Sequence, residues 1–201
     1  MKGLYLVTPD WDDTDALLAV SDAAIQGGAT LLQYRHKTAS AALRREQATA
    51  LLSLCRQHCI PMIINDHLEL CQELDADGLH VGGMDTSVAA ARAALGSEKM
   101  LGASCYSDLQ LARDAAASGA SYIAFGGFYP SRVKKYEVST PVDIISRARN
   151  ELTIPLCVIG GMSAKNARPL VAEGADLVAV ISSVYQSSDP RAAAQEFAQL
   201  F

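Results

Sequence analysis

The sequence lacks the features that mark membrane, secreted or nucleic-acid-binding proteins. No apolar run approaches the roughly 20 residues that span a bilayer, and the opening MKGLYLVTPD has neither the apolar stretch nor the cleavage site of a signal peptide. Basic residues are outnumbered, 17 against 22 acidic ones, for a net charge of −5, and they form no run. Nucleic acid and membranes are therefore poor partners, and a cytoplasmic protein is expected.

Zinc-binding and disulfide motifs are also missing. The five cysteines are odd in number and include no CxxC pair, so we interpret them as free, buried or half-buried thiols without a catalytic role. The four histidines are scattered and no HExxH occurs, which argues against structural zinc. With no Pro/Gly-rich linker or low-complexity tract, residues 1–201 are predicted to form one domain.

What the sequence does contain is an alternation of strand and helix patterns. Eight short β-rich apolar runs occur at 3–8, 30–35, 61–65, 78–81, 100–104, 122–126, 155–160 and 177–182. Between them lie stretches with helical spacing, such as DALLAVSDAAIQGG and ALRREQATALLSLCRQH. Several of these helices end in glycine before the next strand, as in QGGAT, ASGAS and AEGAD.

Eight βα units in about 200 residues predict an α/β fold, a single-domain (β/α)8 barrel at the small end for that architecture. A doubly wound open sheet is the alternative, but its GxGxxG fingerprint is absent after the first strand. Active sites of such barrels lie at the carboxyl ends of the strands. The polar residues that follow the eight runs are therefore expected to share one rim, although each alone is an ordinary turn or surface residue.

The segment QYRHK after the second run places Gln33, Arg35 and Lys37 at every second position, which puts them on one face of a strand. With Lys134 or Lys135 from the loop after the sixth run, they would form a cationic cluster suited to a polyphosphate.

Two carboxylates, Asp66 and Asp85, follow adjacent strands and are of the kind that hold Mg²⁺ together with substrate phosphate and water. The loops IGGMSAKN and ISSVY after the last two runs offer backbone N–H groups near helix starts, the usual monophosphate site of a barrel. Two phosphate sites imply two substrates.

Collinear motifs along nearly the whole chain resemble thiamine-phosphate synthase. LYLVT resembles the family's opening strand, QYRHK its Q-x-R-x-K, IINDHLEL its N-D, ADGLHVGGMD its A-D-G-x-H-x-G-x-x-D and GASCYS its G-x-S. GGFYPSRVKK resembles the phosphate loop G-P-x-[FY]-P-T-x-T-K, VIGGM the I-G-G, and VAVISSV the closing V-A-V-x-S.

The resemblance implies a transferase of thiamine biosynthesis. Its small-molecule substrates would be an aminopyrimidine diphosphate, which loses pyrophosphate by ionisation, and a thiazole phosphate, whose nitrogen attacks the pyrimidine methylene. Mg²⁺ would be held by Asp66 and Asp85. The pyrimidine diphosphate would be held by Gln33, Arg35, Lys37, Asn65, Ser104 and Lys134, of which Arg35, Lys37, Ser104 and Lys134 are the candidate catalytic groups. Tyr34 and His36, within the same motif, complete the implied substrate-binding segment.

The thiazole side would be lined by Ser131, Arg132 and Val133, with its phosphate on the backbone of Gly161, Ile181 and Ser182. The chain departs from the family here: Ser131 and Val133 replace threonines, Gly127 replaces a frequent proline, and Gly83 a frequent glutamine.

Two alternatives remain at this stage. A thiazole tautomerase paralog relies on a histidine after the fifth strand, where this chain has Tyr106. A non-catalytic barrel that senses a phosphorylated metabolite would have no use for both acidic residues, so Mg²⁺ dependence would distinguish it. Whether the chain forms a homo-oligomer is left open.

Overall fold

The computed structural model describes residues 1–82, 87–130 and 140–201. Its strands β1 to β8 are Gly3–Val7, Ala29–Tyr34, Met62–Asn65, Gly78–Val81, Met100–Tyr106, Tyr122–Gly126, Leu156–Ile159 and Leu177–Val180. Its helices α1 to α9 are Thr14–Gln26, Ala41–Gln57, Leu68–Glu73, Val88–Leu95, Leu109–Ala117, Ile144–Arg149, Ala164–Ala172, Ser182–Tyr185 and Pro190–Ala198.

The eight strands are parallel and close into a barrel in chain order, with β1 paired to both β2 and β8. This confirms the predicted (β/α)8 fold and excludes the open sheet. All strand ends that carry polar residues therefore meet at one rim. Within the described ranges, no helix is both long and apolar enough to cross a bilayer.

Local sequence explains where most helices begin and end. Side chains of Asp and Ser accept the first free N–H groups of several helices, at Asp13, Ser40, Ser87, Asp108 and Ser163. The glycines that were expected to end helices, Gly28, Gly119 and Gly174, have positive φ, as a left-handed residue after a helix requires.

The strands carry two apolar layers because successive side chains point to opposite faces. One layer packs the strands against the helices, and the other fills the barrel interior with residues such as Tyr5, Leu31, Ile63, Tyr122 and Leu177. The interior is thus packed below the rim, so a ligand can enter only from the end of the barrel.

Three expectations differ in detail. The last strand ends at Val180, not at 182, because the backbone turns at Ile181 and α8 starts at Ser182. Strand β5 continues to Tyr106 through a register shift after Ser104. All five cysteines are free as expected, but Cys59 is exposed, at a left-handed position after α2.

Candidate active site

A pocket opens at the carboxyl ends of the strands and is lined by residues from every strand of the barrel. It brings together seven residues that the sequence predicted: Gln33, Arg35, Lys37, Asn65, Asp66, Ser104 and Ile181. The residues from β2 to β5 are mostly polar, whereas β6 to β8 contribute Ala124, Cys157, Ile159 and Ala179. One side of the pocket therefore suits a charged group and the other an apolar ring.

The end of β2 presents alternate residues to the pocket. Gln33 and Arg35 are buried and Lys37 is exposed, and all three line the pocket. Tyr34 and His36 point the other way. The Tyr34 hydroxyl donates to Gln47 Oε1 of α2 (3.1 Å), and His36 Nε2 lies 3.1 Å from Asp12 Oδ1. The structure does not bring these two side chains to the pocket. The alternation expected of a strand continues past the end of β2 at Tyr34, so that Arg35 and Lys37 still line the pocket.

Asp10, in the loop after β1, joins the two cationic residues of β2. Its Oδ1 accepts from Arg35 Nη1 (3.1 Å) and from the backbone N–H of Lys37 (2.9 Å). The neighbouring Thr8 is fully buried, and its hydroxyl donates to the Arg35 carbonyl and accepts from the Arg35 N–H. The loop after β1 therefore holds Arg35 in two ways: Thr8 binds its backbone, and Asp10 binds its guanidinium.

Asp66 lies in the pocket with a left-handed backbone, φ 61°. This conformation is uncommon outside glycine and is tolerated best by Asn and Asp. Its carboxylate accepts from Asn65 Nδ2 (2.6 Å) and from the Gly82 N–H (3.3 Å), and its own N–H donates to the His80 carbonyl. The strained turn therefore holds an anionic side chain in a defined position at the rim.

A chain of hydrogen-bonded polar side chains lies at the inner end of the pocket, and all of its members except Tyr122 line the pocket. Gln33 Nε2 donates to the Tyr5 hydroxyl (2.6 Å), which is joined to the Tyr122 hydroxyl (2.7 Å). Tyr122 is joined to His80 Nδ1 (2.9 Å), and His80 Nε2 to Ser104 Oγ (2.8 Å). Burial raises the pKa of both Tyr5 and Tyr122, so both phenols keep their protons. We call these five residues the buried chain.

The apolar wall contains one thiol, Cys157, which is 1% exposed. Burial in the barrel interior raises its pKa, so it stays a neutral thiol and not a thiolate nucleophile.

At the rim, the backbone of the loop after β6 packs closely against the backbone at the end of β7. Gly160 and Gly161 both have positive φ, and a Cβ at Gly161 would overlap the carbonyl oxygens of Tyr129 and Pro130. Tyr129 N–H also donates to the Gly160 carbonyl (3.2 Å). The glycine pair is therefore required for the first residues of the β6 loop to pack on the end of β7.

The end of β8 leads directly into a helix. Helix α8 begins at Ser182 directly after Ile181, which lines the pocket. The first N–H groups of a helix have no partner within it. Of the residues that the sequence assigned to a phosphate, Gly161 lies in the turn after β7, and Ser182 is the first residue of α8.

Several predicted site residues lie outside the described ranges: Asp85, Ser131, Arg132, Val133 and Lys134. Of the predicted magnesium ligands, Asp66 lies within the described residues, and of the predicted cationic cluster, Arg35 and Lys37 do.

Sequence analysis missed Asp10, Tyr5, Tyr122 and Tyr106. Tyr106 is 43% exposed, has positive φ and lines the pocket at the end of β5. Tyr5 and Tyr122 have a signal in the sequence, because each places a hydroxyl within an apolar strand where a buried partner is needed. Asp10 has none, since nothing in TPDWDD separates it from Asp12 and Asp13.

Comparison with known sequences gives a consistent family. The family model described as thiamine monophosphate synthase matches residues 4–184. A thiamine-phosphate synthase of Janthinobacterium sp. (strain Marseille) is 60% identical over 201 residues, which cover 100% of this chain and 97% of that protein. The thiamine-phosphate synthase of Nitrosomonas eutropha is 45% identical, covering 100% and 95%.

Solved structures agree. The thiamine phosphate pyrophosphorylase from Pyrococcus furiosus has a TM-score of 0.86 and 28% identity, and covers 98% of this chain and 94% of that one. A 3-hexulose-6-phosphate synthase has a TM-score of 0.75 at 16% identity, with full coverage of both chains, and shares only the fold.

Proposed function

The chain belongs to the thiamine monophosphate synthase family and is a transferase that makes thiamine monophosphate, and we propose that it joins an aminopyrimidine diphosphate to a thiazole phosphate in the pocket at the strand ends. The observation that carries this proposal is the convergence in one pocket of Gln33, Arg35, Lys37, Asn65, Asp66 and Ser104. Six polar residues from the ends of β2, β3 and β5 face an apolar wall, as a substrate with a charged tail and a flat ring requires.

The diphosphate would bind at the ends of β2 and β3. Arg35 is 8% exposed and keeps guanidinium N–H groups beyond the one that donates to Asp10. Its planar fork suits two phosphate oxygens, and exposed Lys37 adds a point charge. From the sequence, Lys134 joins this group. Charge-assisted hydrogen bonds to a leaving diphosphate are strong in a half-buried pocket.

Mg²⁺ fits beside this cluster. Asp66 offers an anionic oxygen ligand fixed by Asn65 and Gly82, and the sequence supplies Asp85 as the second carboxylate. Without a metal ion, two carboxylates would repel the diphosphate. A metal ion shared by the carboxylates and the diphosphate would remove this repulsion. When bound, the ion would neutralise charge on the departing diphosphate.

The reaction would be a dissociative substitution. The bond between the pyrimidine methylene carbon and the diphosphate oxygen breaks, its electron pair leaves with pyrophosphate, and the thiazole nitrogen forms the new C–N bond. No protein nucleophile is needed, in keeping with the neutral thiol of Cys157. The residues of the pocket bind, orient and stabilise charge.

The thiazole phosphate would bind at the opposite side of the rim. Backbone N–H groups at Gly161, Ile181 and Ser182 are the proposed ligands, since the start of a helix favours an anion. Ser131, Arg132 and Val133 are assigned to the thiazole side from the sequence alone.

Turnover tests the proposal directly. Purified protein is mixed with the pyrimidine diphosphate, the thiazole phosphate and Mg²⁺, and thiamine monophosphate is detected as its oxidised fluorescent product. Release of one pyrophosphate per product is expected, and omission of either substrate is the control. Product without pyrophosphate release, or no product at all, would contradict the proposal.

The same assay addresses the alternatives. A tautomerase would isomerise a thiazole precursor without the pyrimidine substrate, and a sensor would bind a phosphorylated metabolite without turnover. The relatives at 60% and 45% identity favour neither. A cytoplasmic location stays a prediction, and the oligomeric state stays open; cell fractionation and light scattering would test them.

A further inference from the structure

We propose that the buried chain has one direction: hydrogen-bond donation runs from Gln33 through Tyr5, Tyr122 and His80 to Ser104, so that the Ser104 hydroxyl is left to donate into the pocket. Tyr122, which does not line the pocket itself, is then a positioning residue that holds His80 in one tautomer. That Ser104 meets the substrate rests on the proposed function; the direction of the chain does not.

The direction starts at Gln33. An amide nitrogen only donates, so the Tyr5 hydroxyl must accept at 2.6 Å from Gln33 Nε2. Tyr5 is 1% exposed, and among the described residues the acceptor available for its own proton is the Tyr122 hydroxyl at 2.7 Å. If Tyr5 accepted from both neighbours, a buried O–H would be left without an acceptor, which is costly.

The next two links follow from the first. Tyr122 accepts from Tyr5, so it donates its proton to His80 Nδ1 at 2.9 Å. A ring nitrogen that accepts carries no proton, which leaves Nε2 as the ring N–H donor. Nε2–H then donates to Ser104 Oγ at 2.8 Å. Ser104 has accepted, and its own proton can point at an acceptor atom of the pyrimidine diphosphate.

Packing holds the centre of the buried chain in place. Tyr122 is fully buried, and its ring lies against both partners, with centroids 5.9 Å from Tyr5 and 5.6 Å from His80. Gly102 of β5 makes room for this arrangement, since a Cβ there would overlap the Tyr122 ring and approach His80 Nδ1. The packing therefore keeps the Tyr122 hydroxyl oxygen within hydrogen-bonding distance of both Tyr5 and His80.

Nitrogen-15 NMR of the ligand-free protein at neutral pH tests the direction without any substrate. The four histidines are labelled, and His80 is assigned by removing the other three one at a time. We expect protonated Nε2 and unprotonated Nδ1 at His80. Protonated Nδ1, alone or together with Nε2, would overturn the proposal. Tyr122→Phe should abolish the single tautomer, and an unchanged His80 spectrum in that variant would also overturn it.

Kinetics test the consequence for Ser104. Tyr122→Phe should lower kcat/KM for the pyrimidine diphosphate about tenfold and leave the KM for the thiazole phosphate unchanged. In a Ser104→Ala background the same substitution should add no further loss. Additive losses would mean that Tyr122 acts through general packing and would overturn its positioning role.

Tyr185→Phe is the matched control. Tyr185 is 2% exposed, and its hydroxyl is joined to Ser21 at 2.9 Å between α8 and α1, away from the buried chain. Like Tyr122→Phe, the Tyr185→Phe variant loses one buried tyrosine hydroxyl, but it should change neither the His80 spectrum nor the kinetics. If the wild-type protein shows the expected tautomer but makes no thiamine monophosphate, the proposed function fails and the direction of the chain stands.

Discussion

The two halves of the barrel rim differ in the groups that they present: side chains in one half, and glycine and backbone atoms in the other. Between β2 and β5 the pocket is lined mostly by polar side chains, among them Arg35, Asp66 and Ser104. At β7 and β8 the corresponding positions are glycine and backbone: the Gly160–Gly161 pair packs on the β6 loop, and α8 starts at the pocket edge. The first half would bind a ligand through charged side chains. The second half would bind it through backbone N–H groups, whose positions depend on the main-chain conformation.

This difference decides what substitutions can do. A side chain at the rim can be shortened without moving the strand beneath it, so its removal should affect binding more than folding. A glycine in backbone contact cannot accept even a methyl group unless the chain moves. We therefore expect the first half to separate activity from stability and the second half to couple them.

Removal of the proposed Mg²⁺ should have the largest effect on the side-chain half. EDTA should abolish turnover, and Asp66→Asn should raise the Mg²⁺ concentration needed for half-maximal activity, because the amide keeps the shape and loses the charge. Asparagine also tolerates the left-handed backbone of this position. Activity is measured in a Mg²⁺ titration.

The matched control for Asp66→Asn is Asp75→Asn. Asp75 has a similar left-handed backbone, φ 52°, after α3, and it contacts Lys99 outside the pocket. Its Mg²⁺ dependence should be that of the wild type. Full turnover in EDTA would contradict the metal assignment and leave Asp66 as a turn residue.

Arg35→Ala should have the next largest effect. It removes a charge-assisted contact to the diphosphate worth about 1.5–3 kcal/mol, which corresponds to a roughly ten- to hundredfold loss of kcat/KM. The thermal midpoint of unfolding should stay close to that of the wild type. Arg113→Ala is the control, since Arg113 pairs with Glu151 on the outer surface. Wild-type kinetics in folded Arg35→Ala would show that the cationic cluster does not bind substrate.

The sequence predicted the fold because its signals are repeated and local. All eight strand runs were found within a few residues of their positions, and the helix-ending glycines were identified by their spacing. Where one strand ends and a short helix begins, as at Ile181, the outcome depends on tertiary contacts, and no periodicity marks it.

The candidate site was predictable to the extent that it follows strand alternation. Gln33, Arg35 and Lys37 share a face by geometry alone, and the same geometry explains why Tyr34 and His36 do not join them. Asp10 could not be found in this way. Its contacts to Arg35 and Lys37 cross from one loop to another, and an aspartate in a polar loop has no pattern that identifies its partner.

Gly161→Ala tests the backbone half. The left-handed conformation, φ 60°, costs a residue with a Cβ about 1–2 kcal/mol, and the overlap with Tyr129 and Pro130 adds to that cost. We expect a lower thermal midpoint together with about a tenfold rise in the KM for thiazole phosphate, because the N–H donors move with the chain.

Gly96→Ala is the control for Gly161→Ala. Gly96 also has positive φ, 78°, but no contacting atom of the described residues lies within 4 Å of where its Cβ would be. It should lose stability by the conformational cost alone and keep its kinetics. Equal stability losses in the two variants would mean that the β6 loop yields to the methyl group, and the proposed coupling between folding and binding would be wrong.

Asp10→Ala should have the smallest effect and shows how the side-chain half is itself positioned. Asp10 does not line the pocket, so it should act through Arg35 and Lys37, with a loss of about 1 kcal/mol, or roughly three- to tenfold, confined to the pyrimidine diphosphate. In an Arg35→Ala background most of this loss should disappear, because residues that act through each other are not additive. Asp12→Ala, which removes only the contact to His36, should leave the kinetics unchanged. If the losses caused by Asp10→Ala and Arg35→Ala were fully additive, Asp10 would affect binding independently of the guanidinium. The position of Arg35 would then depend on its backbone contacts to Thr8 and not on Asp10.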